Sequence, residues 1–100
     1  MERVESQAIK ELFPSAELQG KLPSYTVIDV REPHERVETG FVPGSISIPL
    51  AGVLDGSAAI PSEKKPYLMV CRSGARSMKA SEALASRGFD VTNLATGTLG

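Results

Sequence analysis

The sequence predicts one α/β domain, spanning residues 1–100, with a mostly parallel sheet. Short apolar segments typical of strands alternate along the chain with segments of helical spacing, and this alternation is typical of strands joined by helical crossovers. Two of the strand segments, 25–30 and 67–70, are apolar nearly throughout, as in strands covered on both faces. A chain of 100 residues has room for one domain with a core of its own.

Two elements are predicted before the first buried strand. Residues 8–13 are short and apolar in part, and they fit either a strand or one turn of helix. The segment 15–22 predicts a short helix, because Leu18 and Leu22 fall on one face at helical spacing. The first of these elements therefore stays open between two structures.

The first buried strand carries an acidic residue, Asp29, near its C-terminal end. A short helix is expected next, since Pro33 suits a first helical turn and Gly40 suits a helix end. A turn follows, and residues 45–50 are then expected to form another short strand. This order places Asp29 at the edge of the sheet where sites of parallel α/β folds form.

The second half of the chain contains the most regular helix pattern. Residues 51–65 are mixed and predict one or two helical turns with a loop. After the buried strand 67–70, the segment 77–88 has apolar residues at helical spacing, and Gly88 suits its C-terminal end. Residues 91–94 predict a last short strand.

Composition excludes several classes of function. The net charge of −1 provides no basic surface for nucleic acid and no polybasic membrane patch. No segment is apolar for long enough to cross a membrane, and the first residues do not resemble a signal peptide, so we expect a soluble, cytoplasmic protein. One cysteine and one histidine, His34, cannot form a disulfide or a Cys/His metal site. No metal or other cofactor is therefore predicted.

The single cysteine, Cys71, stands where the second buried strand meets the following helix. A tight turn there would direct backbone N–H groups and the helix N-terminus at the sulfur, and Arg72 and Arg76 add positive charge. Such surroundings lower the pKa of a thiol and favour the nucleophilic thiolate. A lone cysteine is often only a small buried apolar residue, but a structural cysteine does not need glycine, serine and two arginines directly after it.

Four motifs in order resemble the signature of the rhodanese family: DVREPHE, then G-x-V-P-G-S-I-x-I-P-L, then V-C-R-S-G-A-R-S, then G-F-D-V-x-N-L. The resemblance covers the chain from about residue 15 to the end. It implies a parallel five-stranded sheet with helices on both faces. It also implies a thiosulfate sulfurtransferase, in which the cysteine takes a sulfane sulfur from a donor such as thiosulfate, holds it as a persulfide and passes it to cyanide or a thiol.

The resemblance also implies roles for individual residues. Cys71 would be the nucleophile, and Arg76, at the last position of the loop, is similar to the basic residue of members that use thiosulfate. The substrate would be held in a shallow site by the loop that follows the cysteine. This loop consists of Arg72, Ser73, Gly74, Ala75 and Arg76.

Three charged residues are expected to support the site without taking part in the chemistry. Asp29 and Arg31 match the D-x-R element of the family, and a carboxylate buried at a strand end needs a cationic partner such as Arg31 or a loop arginine. Glu35 is expected to have the same kind of role from the face of the short helix. The neighbouring His34 is expected to be exposed.

Two other functions are open from the sequence. Cysteine phosphatases use C-x(5)-R, whereas the spacing from Cys71 to Arg76 is C-x(4)-R and Ser77 stands at the phosphatase arginine position. The shorter ring suits one sulfur atom better than a phosphate. Alternatively, the domain could be a non-catalytic regulatory module, or it could carry a persulfide to a protein acceptor.

The sequence departs from the family pattern in two places. Phe41 stands where members commonly have histidine, which removes a polar contact but no catalytic group. The usual ending N-L-x-G-G, with a tryptophan and a last helix, is here Asn93 to Gly97 with Thr96 in place of one glycine, and the tryptophan and helix are missing. We therefore expect uncovered apolar surface and a tendency to form a homodimer.

Overall fold

Five strands form one sheet in a computed structural model of the chain, which describes residues 9–12, 18–62 and 64–95. The order across the sheet is β1-β5-β4-β2-β3, and every neighbouring pair is parallel. This confirms the predicted α/β class and the five-stranded parallel sheet. The strands are β1 (Lys10–Leu12), β2 (Thr26–Asp29), β3 (Ile46–Ser47), β4 (Tyr67–Val70) and β5 (Val91–Leu94).

Helices occupy the connections between the strands. Residues 10–12 adopt the strand alternative of the two that the sequence left open, and the helix predicted at 15–22 is observed only in its second half, because residues 13–17 lie outside the described part of the chain. A short 3₁₀ turn, Leu22–Ser24, follows that helix. The helices are α1 (Leu18–Lys21), α2 (Pro33–Thr39), α3 (Leu50–Asp55) and α4 (Ala75–Ala85).

The sheet separates two apolar clusters, because side chains alternate between its faces. Ile28 and Met69 belong to the cluster that includes Val53 of α3 and Leu84 of α4. The opposite cluster contains Val27, Leu68, Val70 and Leu94, with Leu18 of α1 and Leu22 packed against it. Helices therefore cover both faces, and this explains why β2, β4 and β5 are buried along their whole length.

Two boundaries differ from the predicted ones. The strand predicted at 45–50 has only two residues, because Pro49, which has no N–H for a strand partner, is the N-cap of α3. Helix α4 begins at Ala75, two residues earlier than predicted, because Gly74 adopts a left-handed conformation (φ +96°) that turns the chain directly into the helix. Ala75 and Arg76 therefore belong to the first turn of α4 and not to the loop.

The C-terminal end of α4 agrees with the sequence. Gly88 has a left-handed φ of +93°, and the N–H of Phe89 donates to the carbonyl oxygen of Leu84 at 3.0 Å. This is the pattern of a glycine-terminated helix whose last carbonyl groups are satisfied by the returning chain. Phe89 then packs edge-on against Tyr67, with 5.5 Å between the ring centroids.

The C-terminal ends of β2, β4 and β5 meet at one edge of the sheet. Asp29 pairs with Val70, and Met69 pairs with Asn93. The residues that follow these strands are therefore neighbours in space, although they are far apart in sequence. In the described ranges, no helix is long and apolar enough to span a bilayer.

The altered ending of the family motif cannot be compared with the structure beyond Ala95, since Thr96 and Gly97 lie outside the described residues. Among the residues that are described, the exposed large apolar side chains are Val37, Phe41 and Leu54. The homodimer stays a prediction.

Candidate active site

Four residues, Cys71–Gly74, connect β4 to α4 at the C-terminal edge of the sheet. Such a short connection is possible because Gly74 takes a left-handed conformation that a residue with a Cβ rarely adopts. The N–H groups of Gly74, the N-cap of α4, and of Ser77 in its first turn thereby point toward the sulfur. The loop is thus built as a cradle for one atom.

The sulfur of Cys71 is the acceptor at the centre of this cradle. The N–H of Gly74 donates to Sγ at 3.0 Å, and the N–H of Ser77 donates at 3.3 Å. The hydroxyl oxygen of Ser77 lies 3.4 Å from Sγ. These polar groups converge on the sulfur, which is the arrangement that stabilises a negative charge.

The pKa of the Cys71 thiol results from opposing influences. Burial is the largest single one, and it raises the pKa because it disfavours the charged form. Hydrogen bonds from the Ser77 hydroxyl and from the N–H groups of Ser77, Gly74 and Ser73 together outweigh it, so the pKa lies below its ordinary value. The loop thus offsets the cost of keeping a thiolate away from water.

Cys71 has no solvent-accessible surface, and this differs from the shallow site expected from the sequence. The reason is geometric, because the amides of Gly74 and Ser77 can reach Sγ only if the loop wraps around it. Arg72, Ser73 and Ala75 are exposed above it. The sulfur therefore lies one layer of residues beneath the surface.

Ser77 and Asn93 are buried polar residues that the sequence analysis did not assign to the site. The Ser77 hydroxyl donates to Asn93 Oδ1, and its oxygen is also 3.2 Å from the carbonyl oxygen of Gly74. Asn93 Nδ2 faces the same carbonyl oxygen at 3.4 Å. The sequence signal for Asn93 was an asparagine within a predicted strand, in the motif that ends N-L. A polar side chain buried in a strand needs a hydrogen-bond partner, and this could have indicated its role.

Arg76 is paired with a carboxylate, whereas the sequence predicted it for substrate binding. Its Nη1 and Nη2 donate to Glu35 Oε1 and Oε2 at 2.8 and 2.9 Å. Glu35 Oε1 also accepts the N–H of Glu32 at 2.8 Å, as part of the capping box that begins α2. The hydrogen bonds from Arg76 and then from Glu32 lower the pKa of Glu35 to about 2.

Asp29 and Arg31 form a buried ion pair at the C-terminal end of β2. Arg31 Nη2 donates to Asp29 Oδ2 at 2.8 Å, and the two side chains are 1% and 0% exposed. The guanidinium also donates to Thr39 Oγ1 at 2.9 Å and to the carbonyl oxygen of Gly40 at 2.8 Å. The hydrogen bond to Asp29 raises the pKa of Arg31. The pair therefore anchors the C-terminal end of α2, the helix that carries Glu35.

Comparison with known families decides the family of this fold. A sequence model described as the Rhodanese-like domain matches residues 14–100. The chain belongs to the rhodanese-like domain family. The resemblance stated from the four motifs is thereby confirmed.

Relatives of this rhodanese-like domain are found in distant organisms. It is 38% identical over 79 residues to a rhodanese domain-containing protein of Drosophila melanogaster, covering 67% of this chain and 71% of the relative. It is 33% identical over 73 residues to the Bacillus subtilis protein YtwF, which is named as a sulfurtransferase, covering 73% and 69%. Family membership and this relative support sulfur transfer as the general chemistry of the chain.

A solved structure shows the same fold. The crystal structure of a rhodanese-related protein from Thermoplasma volcanium is 33% identical and superposes with a TM-score of 0.77, covering 88% of this chain and 85% of that one.

Three other residues discussed from the sequence of this rhodanese-like domain are exposed. Arg72 is exposed and has no hydrogen bond or ion pair with any residue that the structure describes. His34 is exposed on α2. Phe41, which stands at the usual histidine position, lies 4.1 Å from the Arg36 guanidinium, ring centroid to carbon, and so makes a cation–π contact.

Proposed function

We propose that this domain moves a sulfane sulfur from a donor such as thiosulfate to cyanide or a thiol, and that Cys71 carries the sulfur as a persulfide. The observation that carries the proposal is the convergence of the Gly74 and Ser77 N–H groups and the Ser77 hydroxyl on Sγ. These donors stabilise the thiolate, which is the nucleophilic form of cysteine.

In the first half-reaction, the Cys71 thiolate attacks the outer sulfur of thiosulfate. A bond forms between Sγ and that sulfur while the sulfur–sulfur bond of thiosulfate breaks, and its electron pair leaves with sulfite. The outer persulfide sulfur then carries the negative charge that Sγ held before. Charge is conserved, and no oxidant or reductant is needed.

In the second half-reaction, cyanide or a thiolate attacks the outer sulfur. The bond between the two sulfurs breaks, and Sγ leaves as a thiolate, giving thiocyanate or a new persulfide. The donors around Sγ stabilise this leaving group as they stabilised the nucleophile, so one set of hydrogen bonds serves both steps. A protein thiol can act as acceptor by the same chemistry.

Both half-reactions require the outer sulfur to pass the loop. Because Cys71 has no accessible surface, the exposed residues Ser73 and Ala75 above it must yield by about the width of one sulfur atom. The short connection and the glycine at its end make the loop the part of the site that can do this. The exposed Arg72 supplies positive charge at the entrance for an anionic donor.

The proposal is tested by the mass of the intact protein after incubation with thiosulfate. We expect one added sulfur atom, removed by cyanide with release of thiocyanate, and no addition in Cys71→Ser. Sulfate in place of thiosulfate is the reagent control, and Ser86→Ala, at the other end of α4, is the matched variant that should load normally. Sulfur transfer by Cys71→Ser, or a wild-type protein that never loads, would contradict the proposal and favour a regulatory module.

A further inference from the structure

The Ser77 hydroxyl has one proton and more than one acceptor within reach. It donates to Asn93 Oδ1, while its oxygen is 3.4 Å from Cys71 Sγ. When the sulfur is a neutral thiol, the S–H can donate to the Ser77 oxygen, and the hydroxyl proton is left for Asn93. When the sulfur is an anion, it can accept the same proton. The thiolate, Asn93 Oδ1 and the Gly74 carbonyl oxygen, which lies 3.2 Å from the hydroxyl oxygen, therefore compete for one hydrogen bond, and Asn93 holds it in this structure.

Asn93 is fixed so that its oxygen faces the hydroxyl. The residue is 2% exposed and lies on β5, an interior strand of the sheet. Its Nδ2 faces two acceptors, the carbonyl oxygen of Gly74 at 3.4 Å and Glu11 Oε2 at 3.5 Å. With the nitrogen directed at these groups, Oδ1 points at Ser77, and no rotation of the amide can offer a donor there without losing both contacts.

Building on the proposed sulfur transfer, we propose that Asn93 is a positioning residue that holds the Ser77 hydroxyl proton whenever the Cys71 sulfur is neutral and yields it when that sulfur becomes an anion. The inner sulfur is neutral in the thiol and in the persulfide, and it is anionic as nucleophile and as leaving group. The hydroxyl therefore turns from Asn93 to Sγ and back once in each catalytic cycle.

A consequence is that Asn93 favours the neutral sulfur. When the hydroxyl turns to the thiolate, the buried Oδ1 loses its donor, and an unsatisfied buried acceptor is costly. A side chain of similar size without an acceptor removes this cost. The pKa of Cys71 should therefore fall in Asn93→Leu by about one unit, equal to about a tenfold gain in thiolate at a fixed pH below the pKa.

Charged groups near the sulfur stay the same in this comparison. Four of them form two ion pairs, Asp29 with Arg31 and Glu35 with Arg76. Arg36 also lies 3.4 Å from Asp29. Arg72 lies in the loop, and Glu11 on β1 faces Asn93. None of them is altered by the substitution, but the contacts of Nδ2 are lost with it. The same substitution must therefore also be made in a protein that lacks the Ser77 hydroxyl, so that the effect of the hydroxyl on the pKa of Cys71 can be separated.

The experiment is a double-mutant cycle on the pKa of Cys71, measured from the pH dependence of alkylation by iodoacetamide. The proteins are the wild type, Asn93→Leu, Ser77→Ala and the double variant, each checked for folding by circular dichroism. With Ser77 present, we expect Asn93→Leu to lower the pKa of Cys71 by about one unit. In the Ser77→Ala protein, the same substitution should shift that pKa several-fold less. An equal shift in both backgrounds, no shift, or a rise overturns the proposal.

Asn93→Asp provides the second variant, which decides the question if leucine prevents folding. Aspartate keeps an acceptor at the same place and binds the hydroxyl more strongly, so the pKa of Cys71 should rise. The rise should be larger when Ser77 is present than in the Ser77→Ala protein. A fall, or an equal rise in both, overturns the proposal. Alkylation does not depend on sulfur transfer, so failure of this cycle is distinguishable from failure of persulfide loading.

Discussion

Two arginines lie beside the loop of Cys71, and their surroundings differ. Arg76 makes a bidentate ion pair with Glu35, so most of its charge is already compensated. Arg72 is exposed and makes no ion pair with the described residues. At the scale of single residues, Arg72 is therefore the less compensated of the two cations beside the loop, and the family resemblance implies substrate binding by both.

Replacing Arg72 by alanine should lower kcat/KM for thiosulfate by about three- to tenfold at low salt, because a dianion loses its attraction to one exposed charge. The loss should shrink as salt is added. Steady-state rates of thiocyanate formation at two ionic strengths measure both effects.

Arg87→Ala is the matched control for Arg72→Ala. Arg87 is also exposed, but it lies beyond the C-terminal end of α4 beside Phe89, far from the loop. Its removal should leave kcat/KM unchanged. Equal losses in the two variants would show that only the net charge of the protein matters.

At the scale of elements, a chain of ion pairs connects the sheet to the active-site helix. Asp29 at the end of β2 binds Arg31, and Arg31 holds the end of α2 through Thr39 and Gly40. Helix α2 then presents Glu35 to Arg76 on the first turn of α4. The short helix thus braces the N-terminus of α4, where the amides that face Cys71 are located.

The Glu35–Arg76 pair should make stability depend on pH. The pKa of Glu35 falls from 4.5 to about 2 in the folded protein, so folding favours its ionised form. This contribution is complete above pH 4.5 and is lost as the pH falls toward 2. Because the Arg76 side chain is 36% exposed, we expect the pair to contribute only about 1 kcal/mol to the free energy of unfolding.

Urea unfolding of the wild type and Glu35→Gln at pH 7 and pH 3 measures that contribution. The wild type should be more stable at pH 7, and the difference should shrink at pH 3. Glu82→Gln, which removes an exposed carboxylate on α4, should change neither value. A difference that grows in acid would contradict the assigned direction.

The elements were largely predictable from the sequence, whereas the contacts between them were not. The apolar run 67–70 and the glycine at position 88 specify β4 and the end of α4 by local chemistry alone. The pairing of Arg76 with Glu35 and of Ser77 with Asn93 joins residues from different elements. Such partners depend on strand register and helix placement, which single-sequence patterns do not contain.

At the scale of the whole molecule, the site is built on the sheet, and Cys71 is itself part of the apolar cluster on one face of it. Leu84 of α4 has no accessible surface and packs in the cluster that also contains Cys71. Helix α4 is therefore held to the sheet by apolar burial behind the cradle, while hydrogen bonds arrange the cradle itself. The same helix therefore contributes to the stability of the fold and to the hydrogen bonds around the sulfur.

Leu84→Ala should lower the free energy of unfolding by about 3 kcal/mol, because it leaves a cavity beneath α4. Leu54→Ala removes the same atoms from a residue that is 51% exposed, and it should cost less than about 1 kcal/mol. Chemical denaturation of both variants tests this. Similar costs would mean that α4 is not supported by this cluster.

The enclosure of Cys71 also bears on the lifetime of the protein. A thiolate with a lowered pKa is prone to irreversible oxidation to sulfinic and sulfonic acids when peroxide can reach it. Here the loop that favours the anion also closes over it. The same few residues therefore stabilise the anion and, while the loop is closed, shelter it from peroxide.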